Sequence, residues 1–360
     1  MTSLFSPLSL GDITLPNRLV MAPLTRARAG GSHLPNALMA EYYAQRASAG
    51  LLIAEATMVA ADGCAFTGEP GIYDAACADG WRQVTGAVHA NGGRIQLQLW
   101  HPGRAAHSAL NGGSQPISSS AKAIRGDTIH TPNGAEPYQL PRPLATAELA
   151  GIVELFAAAA ERAKAAGFDG VQIHGAHGYL IDQFLRDGVN DRDDAYGGGI
   201  ENRARLLLQV VDAAMAVWGP ARVSVRISPL VGFNDMVDSD PSALVAYVAQ
   251  ELSRRQLGFL ELRHADQQLP AEQSLAKLAR QHFPGVLMLN GGFDPASAAA
   301  AVSSGRADAI AFGRAFLANP DLVERSAHGA ELNAIDTSTL YTPGPKGYTD
   351  YPRLDATISA

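Results

Sequence analysis

The sequence predicts an α/β protein folded as a single (β/α)8 TIM barrel, and three observations predict it. Short apolar, β-branched runs recur eight times, Ala- and Leu-rich segments of helical length separate them, and no Pro/Gly/Ser linker divides the chain into halves. The strands expected, in order, cover 19–21, 51–56, 94–99, 170–173, 223–227, 259–262, 286–289 and 309–312. Helices are expected at 35–49, 76–90, 146–166, 201–217, 242–256, 271–282, 295–304 and 320–327. Asp240-Pro241 and Asp294-Pro295 each offer a capping carboxylate followed by a proline, which presets φ where its missing N–H costs nothing, and Gly167 closes the third helix. A doubly wound sheet is the alternative. If it bound a dinucleotide it would carry a glycine fingerprint after its first strand, and neither GxGxxG nor GK[ST] occurs.

Two segments fall outside the repeat. Residues 101–143, between the third strand and its helix, are rich in Gly, Ser and Pro, and the tail 336–360 lacks helical periodicity. Both are expected as loops capping the C-terminal mouth, within one domain spanning 1–360. At 360 residues, 47% hydrophobic and 18% charged, the chain can bury one substantial core. A formal charge of −7 without a basic cluster argues against a nucleic-acid surface and leaves room for small anions. Cys64 and Cys77 are too few for an iron-sulfur cluster or a disulfide framework, which fits a reducing cytoplasm. No apolar run reaches membrane-spanning length and residues 1–10 lack a basic start, so a cytoplasmic protein without a membrane partner is expected.

In a barrel the chemistry sits where strands end. The first strand runs into Ala22-Pro23-Leu24-Thr25-Arg26 and the second into Glu55-Ala56-Thr57. The third carries Gln96 and Gln98 on one face before Trp100 and His101. The fourth ends in His174-Gly175-Ala176-His177-Gly178-Tyr179, the fifth holds Arg226, and the last two end in Asn290-Gly291-Gly292 and Phe312-Gly313-Arg314. Gly291, Gly292, Gly313 and Arg314 either cradle a phosphate or simply turn the chain. For His174 and His177 three readings stand: a metal pair, two histidines satisfied within the fold, or donors to a substrate oxygen. The absence of HxH, HExxH and cysteine ligands weighs against metal. Arg226 inside an apolar strand calls either for a ligand or for an interior ion pair with Glu55. Tyr179 is either packing or a proton donor, and Gln98 either a strand residue or a functional amide.

Taken in order, these motifs resemble the Old Yellow Enzymes over nearly the whole chain. The resemblance is closest to the bacterial ene-reductases acting on nitrate esters, N-ethylmaleimide and enones. It is carried by residues 17–26, 98–101, 174–179, 194–198 with 201–203, 312–314 and 347–352. It implies non-covalent FMN across the barrel mouth, its phosphate at Gly291, Gly292, Gly313 and Arg314. The cofactor would be flanked by Ala22, Pro23, Leu24, Thr25, Ala56, His174 and Phe312, with Gln98 and Arg226 at the pyrimidine. His174 and His177 would grip a carbonyl or nitro oxygen, Tyr179 would protonate the α-carbon, and Trp100 and Tyr341 would line the substrate side. NADPH or NADH would reduce the flavin in the same pocket before an electrophilic alkene enters, in a ping-pong cycle. A monomer or homodimer is implied.

Gly175 and Gly199 stand where relatives often have Ser, and residues 342–346 replace a more glycine-rich turn. Among other classes, a Schiff-base aldolase needs a lysine at a strand end, and Lys122, Lys164, Lys277 and Lys346 are not so placed. A flavin-binding barrel with incidental turnover remains the alternative.

Overall fold

In the computed structural model, which describes residues 2–354, every expected strand forms. They are β1 (Leu19–Met21), β2 (Leu51–Met58), β3 (Ile95–Trp100), β4 (Gly170–Gly175), β5 (Val223–Ile227), β6 (Phe259–Arg263), β7 (Val286–Asn290) and β8 (Ala309–Phe312). All pair in parallel in chain order, and β8 returns to β1, so the barrel closes and leaves no edge. The helices wrapping it are α1 (Ala37–Ala44), α2 (Ala75–Ala90), α3 (Leu149–Ala165), α4 (Arg205–Trp218), α5 (Pro241–Arg254), α6 (Pro270–His282), α7 (Pro295–Ser303) and α8 (Leu322–His328). Both proline starts behave as expected: Asp240 Oδ1 accepts the Ala243 N–H at 2.9 Å and Asp294 Oδ1 the Ser297 N–H at 2.7 Å.

Side-chain parity divides the strands. On β5, Val223, Val225 and Ile227 join the core beneath the helices, while Ser224 and Arg226 meet partners across the barrel interior. At the opposite end from the mouth, a hairpin of Leu8–Leu10 and Ile13–Leu15 packs Leu8, Leu10, Ile13 and Leu15 against Val20, Leu51, Ile53, Phe259 and Met288. Burying each such side chain contributes about 1.5–3 kcal/mol. Two three-residue strands are too short to show as periodicity, and the sequence did not reveal this plug.

The insertion expected as loop at 101–143 is partly ordered. Thr128–Thr131 and Gly134–Pro137 form a hairpin, and Ile117–Ser118 pairs with Arg142–Pro143. Two short helices also went unforeseen, Leu180–Leu185 after β4 and Arg314–Ala318 after β8, and the helix expected at 201–217 forms as two pieces, Ile200–Arg203 and then α4. Of the tail expected at 336–360, residues 355–360 lie outside the described residues. Among the described residues no helix is long and apolar enough to cross a membrane.

Candidate active site

The turn after β4 carries His174, His177 and Tyr179 and is fixed from both sides. His177 adopts φ +58°, and its N–H donates to Ser228 Oγ at 2.8 Å. The Gly178 N–H donates to Asp182 Oδ2 at 2.8 Å, and Gln183 Nε2 donates to Gly178 O at 2.7 Å and Pro102 O at 3.0 Å. Arg186, buried, pairs with Asp182 Oδ1 at 3.0 Å, donates to Val231 O at 2.9 Å and reaches Ser228 O. Asp182, Gln183, Arg186 and Ser228 therefore hold the turn. They went unremarked in the sequence because their role depends on contacts between loops.

The His174 ring stands steeply edge-on to the rings of both His177 and Tyr179. His174 and His177 have centroids 5.6 Å apart, and His174 and Tyr179 5.0 Å apart at 83°. Trp100 lies edge-on behind Tyr179 at 5.2 Å, buried among Ala56, Met58, Cys64 and Ala65, so it backs the tyrosine rather than lining open space. Nδ1 of His174 accepts the Ala176 N–H at 3.3 Å, which leaves Nε2 to carry the proton of a neutral imidazole. Burial, then the Arg226 charge, holds both histidines well below their usual range. Burial pushes the Tyr179 phenol up, with Tyr138, Tyr341 and Glu69 adding to it. Both imidazoles are neutral and the phenol keeps its proton at physiological pH.

Beneath these rings a buried polar chain crosses the barrel. Gln98 Nε2 donates to Gln172 Oε1 at 2.8 Å, and Gln172 Nε2 donates to Glu261 Oε2 at 2.9 Å. Glu261 Oε1 lies 3.1 Å from Arg226 Nε, an ion pair without hydrogen-bond alignment, since both atoms are left without a bonded partner. Arg226 Nη2 donates to Asn290 Oδ1 at 2.8 Å, and Asn290 Nδ2 to Ala311 O at 2.6 Å. The ion pair considered from sequence was with Glu55, and this is corrected. Between Ala54 and Thr57 the β2–β3 register shifts, a bulge that re-aims Glu55. Its carboxylate accepts the Arg26 N–H at 3.1 Å and the Tyr43 hydroxyl at 3.2 Å instead.

Above Arg226 opens a cavity of ≈ 580 Å³. Its wall includes Ala22, Pro23, Leu24, His177, Arg226, Asn290, Gly291, Gly292, Phe312, Gly313 and Arg314, together with Arg263, which sequence reading missed. Gly291 and Gly292 have φ +109° and +75°, where an L side chain is strained. A Cβ on Gly291 would fall 2.0 Å from His264 O. Neither Arg263 nor Arg314 forms an ion pair with any described residue.

A second, more apolar cavity of ≈ 270 Å³ is lined by Tyr179, Phe66, Ile129, Tyr138, Phe233 and Tyr341 among others. The tail reaches it because arginines after β1 grip it. Arg26 donates to Gly347 O at 2.7 Å, and Arg28 to Thr339 O and Leu340 O at 2.9 Å each. Tyr348 stacks on Tyr42 at 4.0 Å, and Tyr341 on Phe66 at 5.8 Å. Residues 336–354 thus cover the mouth as expected, and the insertion contributes Asp127, Thr128, Ile129, His130 and Tyr138 to the same cavity.

Residues 3–333 match the model of the NADH:flavin oxidoreductase / NADH oxidase family. The chain belongs to the Old Yellow Enzyme family. It is 48% identical over 354 residues, 97% of each chain, to a Leishmania infantum protein named as a flavin mononucleotide-dependent alkene reductase. Among solved structures it superimposes on morphinone reductase in complex with tetrahydroNAD with a TM-score of 0.95 at 45% identity, covering 100% of both chains. The old yellow enzyme homologue from Zymomonas mobilis gives the same score at 44% identity, over 98% of this chain and 100% of that one. The protein is an oxidoreductase of the Old Yellow Enzyme type, and its (β/α)8 barrel is the family's.

An FMN-sized ligand fits the residues of the larger cavity. Arg263 Nη1 is buried without a partner, Arg226 Nε is buried without a hydrogen bond beside Glu261, two glycines open the backbone, and Arg314, which forms no ion pair with a described residue, adds a cation.

Proposed function

We propose that the protein is an NAD(P)H-dependent, FMN-containing reductase of alkenes conjugated to a carbonyl or nitro group. Enones, enals, maleimides and nitroalkenes belong to this class, and nitro compounds and nitrate esters extend it. The observation that supports this best is the position of the ring trio, with His177 on the wall of the large cavity and Tyr179 on that of the apolar one. His174 stands within 6 Å of both rings.

Bound FMN supplies two-electron hydride chemistry. Gln98, Arg226, Asn290 and the stretch Ala22 to Thr25 would hold its ring, with Ala56 and Phe312 beside it. Gly291, Gly292, Gly313 and Arg314 would hold its phosphate. The Arg226 guanidinium would offset the negative charge of a reduced ring, an attraction that its burial would strengthen.

His174, donating from Nε2, and His177 would bind the substrate's carbonyl or nitro oxygen. A neutral donor polarises that oxygen without taking it as an ion pair, so the β-carbon becomes electrophilic. Tyr179 holds its proton at the phenol oxygen and would deliver it to the α-carbon. Its position on the apolar cavity that Phe66 and Tyr341 also line suits proton delivery to a carbon centre. One pocket serves the nicotinamide and the alkene in turn, so the two exchange in a ping-pong cycle.

The test is stopped-flow on the purified yellow protein. Tyr179→Phe should leave reduction by NADPH or NADH unchanged and slow reoxidation by an enone about 10²- to 10⁴-fold. Loss confined to the nicotinamide step would refute the proton-donor assignment. A chain that binds no FMN would refute the whole reading.

A further inference from the structure

We propose that Arg263 is a second guanidinium for the cofactor's phosphate, which makes the cavity select FMN over a flavin that lacks one. The proposal rests on the reading of the large cavity as an FMN site. Arg263 ends β6, its side chain on the same face as Glu261, and lines that cavity. Its Nη1 is buried without a partner, and its side chain makes neither a hydrogen bond nor an ion pair to any described residue.

The neighbours make that isolation costly. Arg226 and Arg314 are the cations close enough to depress its proton affinity, after burial itself. The nearby carboxylates are committed elsewhere. Glu261 serves Arg226 and Gln172, and Glu272 accepts His264 Nδ1 at 2.6 Å and the Ala265 N–H at 2.8 Å. Asp266 Oδ1, beside Gly292, accepts the Gln268 N–H at 2.9 Å and is not part of the cavity wall. A half-buried cation among cations requires an anion from outside the chain.

Geometry chooses which anion. Arg263 Nη1 lies 2.6 Å from the point a Gly291 Cβ would occupy, so its free edge meets the glycine turn where the phosphate is placed. The loop carrying it is pinned to the end of β7: the His264 N–H donates to Asn290 O at 2.7 Å and the Gln267 N–H to Gly291 O at 3.1 Å. Arg263 and Arg314 together offer forked donors to a dianion with three acceptor oxygens, and the ring end of the cofactor is left to Arg226.

The flavin-free full-length chain, titrated with FMN and with riboflavin, tests this. Arg263→Ala should weaken FMN binding on the order of 10- to 100-fold and change riboflavin binding less than about twofold. Arg263→Lys, which keeps the charge and loses the fork, should fall between and decides the matter if the alanine variant does not fold. Equal loss for both flavins, or undiminished preference for FMN, overturns the proposal. A wild-type chain that prefers FMN while both variants keep that preference sinks this inference alone, whereas a wild-type chain that binds neither flavin sinks the FMN reading with it.

Discussion

Alanine at Gly291 should damage the molecule far more than alanine at Gly313, although the two glycines look equivalent in the sequence. At Gly291 the backbone has φ +109°, which costs an L residue about 1–3 kcal/mol. The new Cβ would lie 2.0 Å from His264 O, more than 1 Å inside ordinary contact, and the obstacle is main chain that no rotamer change can move aside. Relief requires the turn to move and to lose the bond from the Gln267 N–H to Gly291 O, about another 1 kcal/mol. The sum is about 3 kcal/mol, or a fall in melting temperature of roughly 5 °C for the flavin-free chain. A displaced cradle should also weaken FMN binding on the order of 100-fold, since 1.4 kcal/mol is a factor of ten. At Gly313 the backbone has φ −91° and the nearest obstacle is Leu24 Cδ2 at 3.5 Å, so alanine should cost less than about 1 kcal/mol and threefold in affinity. Thermal unfolding and flavin titration of the two variants decide it. A Gly291→Ala protein that melts and binds like wild type, or a Gly313→Ala protein equally impaired, would refute the reasoning.

Two further expectations concern pH. Burial raises the Glu55 carboxyl to about 7, against the Arg26 N–H and Tyr43 hydroxyl that lower it, so the folded state prefers the protonated acid. Stability from this group is therefore full below its unfolded value of 4.5 and is lost as pH rises to about 7, by about 3 kcal/mol. Glu55→Gln should flatten the difference between urea midpoints at pH 5 and pH 8, and an unchanged slope would show that Glu55 does not ionise in that window. His174 and His177 are held well below 6.5 by burial and Arg226, so both are neutral above it. Binding of an uncharged enone to oxidised holoenzyme, followed by the flavin spectrum, should be flat from pH 6.5 to 8.5; a titration inside that range would place a protonated imidazole in the site.

The barrel was legible because its strands are buried on the helix side by β-branched and aliphatic residues and are bounded by turn residues. The elements that escaped notice are those too short for any period, the hairpin under the barrel and the helices Leu180–Leu185 and Arg314–Ala318. Residues at strand ends were placed at the mouth by position alone. Arg226, Gly291, Gly292, Gly313 and Arg314 share one cavity wall, Gln98 is linked to Arg226 only through Gln172 and Glu261 beneath it, and Trp100 packs behind Tyr179. Residues that act by holding others, Asp182, Gln183 and Arg186, carry no local signal, because their partners lie on other loops.

Glu55 and Arg263 show where parity reasoning succeeds and where it fails. On β2, Leu51 and Ile53 pack in the barrel interior, so strict alternation would point Glu55 inward as well, toward Arg226. The bulge after Ala54 breaks the alternation and turns the carboxylate to Tyr43 on α1. No sequence feature announces a one-residue bulge, and the wrong ion pair follows from it. On β6 alternation is unbroken: Phe259 packs in the interior, Glu261 pairs with Arg226, and Arg263 comes next on that face. Ending the strand at 262 hid a residue that the same rule would have delivered to the cavity. An extra cation two residues beyond an interior carboxylate, on a strand with no bulge, comes to the mouth, and Arg263 does line the large cavity there.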